Sequence, residues 1–192
     1  MSSSRSSRRE CGDSAGDPLD PTTDVGPLVS QTQRDEIESQ VKDAVAKGAK
    51  VEVGGKRSRR PGWYFEPTLL SHVTKVMRVL REETFGPVAP VMAVPNLHTA
   101  IEEANDSEFG LGASIWTRNL GQADELARQV ESGMVFINGV VKSDPRMPFG
   151  GVKHSGVGRE LSRYGLLEMV NIKTVEIFPG HPGQAAIQKN TE

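Results

Sequence analysis

The sequence holds one cysteine, Cys11, in 192 residues. That excludes an intramolecular disulfide and leaves no thiol cluster for zinc. The four histidines, His72, His98, His154 and His181, are scattered along the chain, so no metal site is expected. Aromatic residues make up only 5% and the formal net charge is −2. With no basic patch interleaved with rings, neither phosphate attraction nor base stacking is provided for, and no nucleic-acid partner is expected. No apolar run is long enough to span a bilayer, and no apolar signal-peptide core stands at the N-terminus, which argues against membrane insertion and secretion. The cysteine content fits a reducing compartment. The expected location is cytoplasmic, with the mitochondrial matrix as the alternative: the arginines before Glu10 suit a transit peptide, but the apolar face of an amphipathic helix is missing.

What is present is ordinary globular composition, 36% hydrophobic and 25% charged, enough for one domain with tails. Residues 1–15 are rich in serine and arginine and are expected to be disordered. The stretch GDPLDPTTDVGPLVS (16–30) is a turn-rich lead-in. Ser30 or Thr32 can cap a helix whose apolar residues Ile37, Val41, Ala44 and Val45 recur at helical spacing until Gly48. KVEV (50–53) alternates as a strand, KRSRRPG (56–62) reads as an exposed basic loop, and WYFEPTLLSHV (63–73) as extended chain. An alternation follows: a strand over 88–94, a helix over 97–104, a strand over 112–116, a helix over 120–130 and a strand over 134–137. This β-α-β-α-β order predicts an α/β fold, an open and mostly parallel sheet with covering helices, whose ligands gather at loops beyond the strand ends. Residues 169–178 carry Ile172, Val175 and Ile177 and predict a terminal strand, its unpaired edge favouring oligomerisation.

Glycine and proline concentrate between Gly139 and Gly165. Gly150 and Gly151 permit positive φ or close backbone approach, with Pro145 and Pro148 stiffening the entry. Gly156 and Gly158 precede residues 159–164, expected as a short helix closed at Gly165. Such a loop is either an anion cradle at a helix start or a tight structural turn, and it lacks the Walker lysine spacing and the dinucleotide fingerprint. No nucleophile–base pair or paired carboxylates stand out by spacing, so no catalytic residue is assigned.

Four motifs, in this order and spacing, resemble the C-terminal motifs of the aldehyde dehydrogenase superfamily: EETFGP (82–87), AND followed by FGL (104–111), PFGGVKHSG (148–156) and GRE (158–160). With the lead-in and PGWYFEPTLL (61–70), the resemblance runs over residues 16–178 and is highly specific. It implies a partial catalytic domain over 16–168, a terminal strand of oligomerisation type over 169–180 and a polar tail over 181–192. By the resemblance, Glu83 hydrogen-bonds the hydroxyls of the nicotinamide ribose of NAD or NADP, Phe85 packs beside the nicotinamide, and Phe149 lines the aldehyde tunnel. A carboxylate accepts two hydroxyl protons and a ring face covers an apolar edge, so the chemistry agrees.

Within the superfamily the motifs look most like those of succinate-semialdehyde dehydrogenases. Ser143 falls where that subfamily has a serine contacting the distal carboxylate of the substrate, and Lys142 or Arg146 is placed to add charge. The departure lies in the chemistry. The family uses a nucleophilic cysteine, a glutamate-activated water and a dinucleotide-binding domain, all of which belong upstream of where this chain begins. Cys11 lies in a polar stretch without the family's cysteine motif and is not expected to replace the nucleophile. The resemblance therefore implies a C-terminal fragment of an NAD(P)-dependent aldehyde dehydrogenase, inactive alone. The alternative is a non-catalytic interaction module that forms a homo-oligomer or joins full-length subunits through its terminal strand.

Overall fold

Ser30 opens the first helix. Its backbone is extended and its hydroxyl accepts the N–H of Gln33 at 3.1 Å, satisfying a donor that the first helical turn leaves free. Of the two caps offered by the sequence, this is the one used. The helix α1 (Gln31–Ala46) then buries Ile37, Val41 and Ala44, while Val45, expected on the same face, is half exposed. The computed structural model describes residues 15–178; Cys11, His181, the expected polar tail and all of the expected disordered segment except Ala15 lie outside them.

Strand β1 (Lys50–Val53) pairs antiparallel with β2 (Thr68–Ser71), and β2 pairs in parallel with β3 (Val88–Pro90). As the middle strand, β2 buries Thr68, Leu69 and Leu70 in succession, the pattern of a strand covered on both faces. Ile37, Val41 and Ala44 pack with Phe65, Leu70, Val73, Met77 and Val79 in one core. The strand expected over 88–94 stops at Pro90, which has no N–H to continue a ladder; Val91 N–H makes one last bond to the Leu70 carbonyl at 2.8 Å. Asn96 caps α2 (Leu97–Asn105), its side chain accepting the Thr99 N–H.

The chain divides into two compact units, Met1–Glu108 and Phe109–Glu192. In the second, β5 (Gly112–Ile115) runs parallel to β6 (Met134–Ile137) in register Gly112 with Met134 through Ile115 with Ile137, joined by the helix α3 (Leu120–Gln129). This is the expected β-α-β crossover, with Ala123 and Leu126 buried beneath the helix. The first strand of the predicted alternation belongs to the other unit, paired with β2. Strand β4 (Phe109–Gly110) pairs antiparallel with β7 (Val152–Lys153). The molecule is α/β, as the sequence indicated, with its strands shared among small sheets.

Two expectations are corrected here. The helix predicted over 159–164 and closed at Gly165 is instead α4 (Ser162–Glu168), with Gly165 inside it. Glu160 cannot join a helix because it is held extended against Phe149: Phe149 N–H donates to the Glu160 carbonyl at 2.8 Å and Glu160 N–H donates back at 2.7 Å. The reversal falls on Leu161 and Ser162, with φ of 59° and 52°. Residues 169–178 carry no strand. A strand exists only where a neighbour completes its ladder, and none of the described residues does so. Ile172, Val175, Ile177 and Phe178 are all exposed.

Candidate functional site

The first unit presents the segment EETFGP on a base built by α1 and the turn that precedes it. Gln33, Ile37 and Gln40 lie on one face of α1 at i, i+4 and i+7. Gln33 Nε2 donates to the Phe85 carbonyl at 2.5 Å. Gln40 is buried, only 2% exposed; its Nε2 donates to Glu82 Oε2 at 3.3 Å and makes a longer contact of 3.5 Å with the Glu83 carbonyl, while its Oε1 accepts the Thr84 hydroxyl at 2.7 Å. Between the two glutamines, Gly86 rests on Ile37, so closely that a Cβ at 86 would lie 2.1 Å from Ile37 Cδ1. Gly86 N–H closes a three-residue turn onto the Thr84 carbonyl at 3.0 Å, with Phe85 at its tip.

Arg78 locks the other end. Its Nε and Nη2 grip the two carboxylate oxygens of Glu82 at 2.7 Å each, and its Nη1 donates to Ser39 Oγ at 2.8 Å. It also pairs with Glu36, and its backbone N–H donates to Asp43 Oδ2 at 3.0 Å. The bidentate contact with Arg78, helped by the Gln40 amide and opposed by burial, holds the Glu82 carboxyl below its ordinary value. The first glutamate of the motif is thus the anchor, and the second, Glu83, stands exposed. The Phe85 ring is 71% exposed although its backbone is fixed.

In the second unit Phe149 is half-buried and lines two adjoining cavities. One, of about 440 Å³, is walled by β6 and by Lys142, Asp144, Met147 and Pro148; the other, of about 330 Å³, lies among residues of the glycine-rich turn and α4. The turn is fixed by close backbone approach: a Cβ on Gly133 would lie 1.9 Å from the Gly150 carbonyl oxygen. Ser143 is exposed, between two residues that line the larger cavity. Arg146 is committed to Asp144, donating from Nε at 2.9 Å and from Nη2 at 2.6 Å, and this pairing holds the Asp144 carboxyl far below its ordinary value. Lys142, which lines the cavity, is the cation of this loop that faces it.

Glu83 and Phe85 therefore share one turn of the first unit, and Ser143 and Phe149 share one loop of the second. Sequence reasoning missed Gln33, Gln40, Thr84 and Arg78. Gln40 left a signal: it is a polar residue at i+3 from Ile37 and i−4 from Ala44, inside an apolar stripe, where a side chain must find partners. Among the described residues no group of three or more His, Cys, Asp or Glu is arranged to hold a metal ion, and no helix is long and apolar enough to cross a membrane.

Comparison with known proteins gives a consistent result. Residues 12–175 match the model of the aldehyde dehydrogenase family. The chain is 50% identical over 162 residues to succinate-semialdehyde dehydrogenase [NADP(+)] 1 of Mycobacterium tuberculosis strain H37Rv, covering 84% of this chain and 35% of that protein. The crystal structure of succinate-semialdehyde dehydrogenase from Burkholderia pseudomallei superposes with a TM-score of 0.82 at 39% identity, over 86% of this chain and 34% of that one. Betaine aldehyde dehydrogenase from Staphylococcus aureus, in complex with NAD+, superposes with a TM-score of 0.79 at 38% identity, over 84% and 33%. The chain spans about a third of the length of the curated relatives it matches.

Proposed function

Because this chain belongs to the aldehyde dehydrogenase family, we propose that it supplies the nicotinamide-side turn and the substrate-side loop of an NAD(P)-dependent oxidation of an aldehyde to a carboxylic acid. Succinate semialdehyde is the favoured substrate, on the strength of the relatives named for it. The observation that carries the reading is the turn at 84–86: an aromatic residue 71% exposed, beside an exposed carboxylate, on a segment tied to α1 and to itself by hydrogen bonds. The turn presents this ring to solvent, where the face of a second ring system can stack on it.

In this reading Glu83 accepts the two hydroxyl protons of the nicotinamide ribose and Phe85 covers one face of the ring system. The bound nicotinamide, from either NAD or NADP, supplies the hydride acceptor. Phe149 walls the aldehyde channel and excludes water from it, Ser143 donates to the distal carboxylate of a dicarboxylic semialdehyde, and Lys142 adds a positive charge. Arg146, neutralised by Asp144, adds none. The only thiol, Cys11, lies outside the family's nucleophile motif, so these 192 residues by themselves give no turnover, and the favoured compartment is the cytoplasm.

The test is a titration of the 192-residue chain with reduced nicotinamide mononucleotide followed by NMR. Shifts localised to residues 82–86, weakened in Phe85→Ala and Glu83→Gln, support the reading; a wild-type spectrum unchanged at saturating nucleotide overturns it. With succinate semialdehyde and NADP the chain is expected to produce no NADPH, and turnover that disappears in Cys11→Ser would refute the assignment of inactivity.

A second reading rests on a different observation. The apolar side chains of Ile172, Val175, Ile177 and Phe178 are 73% to 87% exposed, which favours an interaction module whose last segment pairs with a strand edge of a full-length family subunit or of a second copy. Light scattering of the chain, alone and mixed with a full-length relative, decides it: persistent monomer in both excludes this role.

A further inference from the structure

We propose that Gln40 is the positioning residue of the nicotinamide-side turn: its buried carboxamide, reaching up from α1, holds the side chains of Glu82 and Thr84 and touches the Glu83 carbonyl, and so aims Glu83 and Phe85. This rests on the reading above for what the turn binds, and on the geometry alone for what holds it. A glutamine at 2% exposure on the core face of a helix is costly unless its amide is satisfied. Here both the donor and the acceptor end are spent on one six-residue segment: Nε2 on Glu82 Oε2 and the Glu83 carbonyl, Oε1 on the Thr84 hydroxyl. Three consecutive residues of the motif are therefore referred to a single rigid point, more than forty positions earlier in sequence.

The neighbours of Gln40 on the helix complete the arrangement. One turn back Ile37 meets Gly86, and two turns back Gln33 holds the Phe85 carbonyl. Between them the three residues 33, 37 and 40 touch every residue of 82–86, so the turn rests on α1. Gln40 is the buried polar member of that stripe, whereas Arg78, which grips Glu82 from the other side, is partly open to solvent.

The experiment uses the full chain and two variants of near-constant shape, Gln40→Met and Thr84→Val. Hydrogen exchange of the Gly86 amide, which donates to the Thr84 carbonyl, is expected to speed up roughly tenfold in Gln40→Met and less in Thr84→Val, with core amides of Val41 and Leu70 unchanged. In the double variant the two effects are expected to overlap rather than add. Gly86 exchange equal to wild type, or a uniform acceleration across core and turn, overturns the proposal, the second because it marks a merely structural role. Affinity for reduced nicotinamide mononucleotide is expected to fall several-fold in Gln40→Met without loss of the folded spectrum, and an unchanged affinity in a wild type that does bind overturns the proposal as well. If the wild type binds no nucleotide, the cofactor reading fails, while the exchange measurement still decides whether Gln40 sets the turn.

Discussion

Gly86 has no room for a methyl group, since its Cβ would sit 2.1 Å from the δ-methyl of Ile37, a residue itself 2% exposed. Gly86→Ala must displace the buried δ-methyl of Ile37, by a change of rotamer or by parting α1 from the turn, and is expected to cost about 1–3 kcal/mol, read as a lower denaturant midpoint at unchanged slope. Glu82 gives a pH test. Its carboxyl is depressed by the facing Arg78 and Gln40, against the like charge of Asp43, with Glu36 sharing the same guanidinium. The stability it contributes is complete above the ordinary glutamate value of about 4.3 and is lost as the pH falls through the lower folded value. Protection of the Gly86 amide, corrected for intrinsic exchange, should therefore hold from neutral pH into that range and drop below it; a flat profile would show that Arg78 does not restrain the turn. At this scale Glu83, Phe85, Ser143 and Phe149 were singled out only through the resemblance, because an isolated carboxylate, serine or ring has no signature of its own. Gln40 showed only its place inside the apolar stripe of α1, which marks it as buried without naming the partners its amide finds on residues 82–84.

The elements were legible where local chemistry dominates. Ser30, Asn96 and Asn119 each cap a helix through a side-chain oxygen, and Ser30→Ala is expected to lower stability by about 1 kcal/mol, measurable by thermal or denaturant unfolding. They were illegible where a distant partner decides. Residues 159–164 have the composition of a helix start, but the bridge between Phe149 and Glu160 outweighs that preference and delays α4 to Ser162. Residues 169–178 have the composition of a strand, and pairing, which composition cannot supply, is absent among the described residues. Likewise the first strand of the predicted alternation was correctly located near residue 88 but assigned to the wrong neighbour, because order along the chain does not say which edge a strand joins.

For the whole chain, the two units differ in how much they bury. All of the main core, from Ile37 to Val79, lies in the first, whereas among the described residues the buried hydrophobic side chains of the second are Ala123 and Leu126, and Trp116, Val140, Met147 and Leu166 are exposed. Little apolar burial means low local stability. Amides of β5 and β6 are expected to exchange by openings of lower free energy than those of β2, and equal protection in the two units would contradict this. The sequence could not reveal the difference, since the average composition of the chain is ordinary and burial depends on what surrounds each unit.

The contact of Gly133 with the Gly150 carbonyl has a consequence for how this sequence can change. A Cβ at 1.9 Å from a carbonyl oxygen cannot be accommodated by a rotamer or a flexible neighbour, because both partners are main chain. Position 133 is closed to every other amino acid for as long as the turn at 150 keeps its path, and no compensating side chain elsewhere reopens it. In a saturation library selected for protease resistance, glycine alone should survive at 133, while exposed neighbours such as Glu131 tolerate exchange.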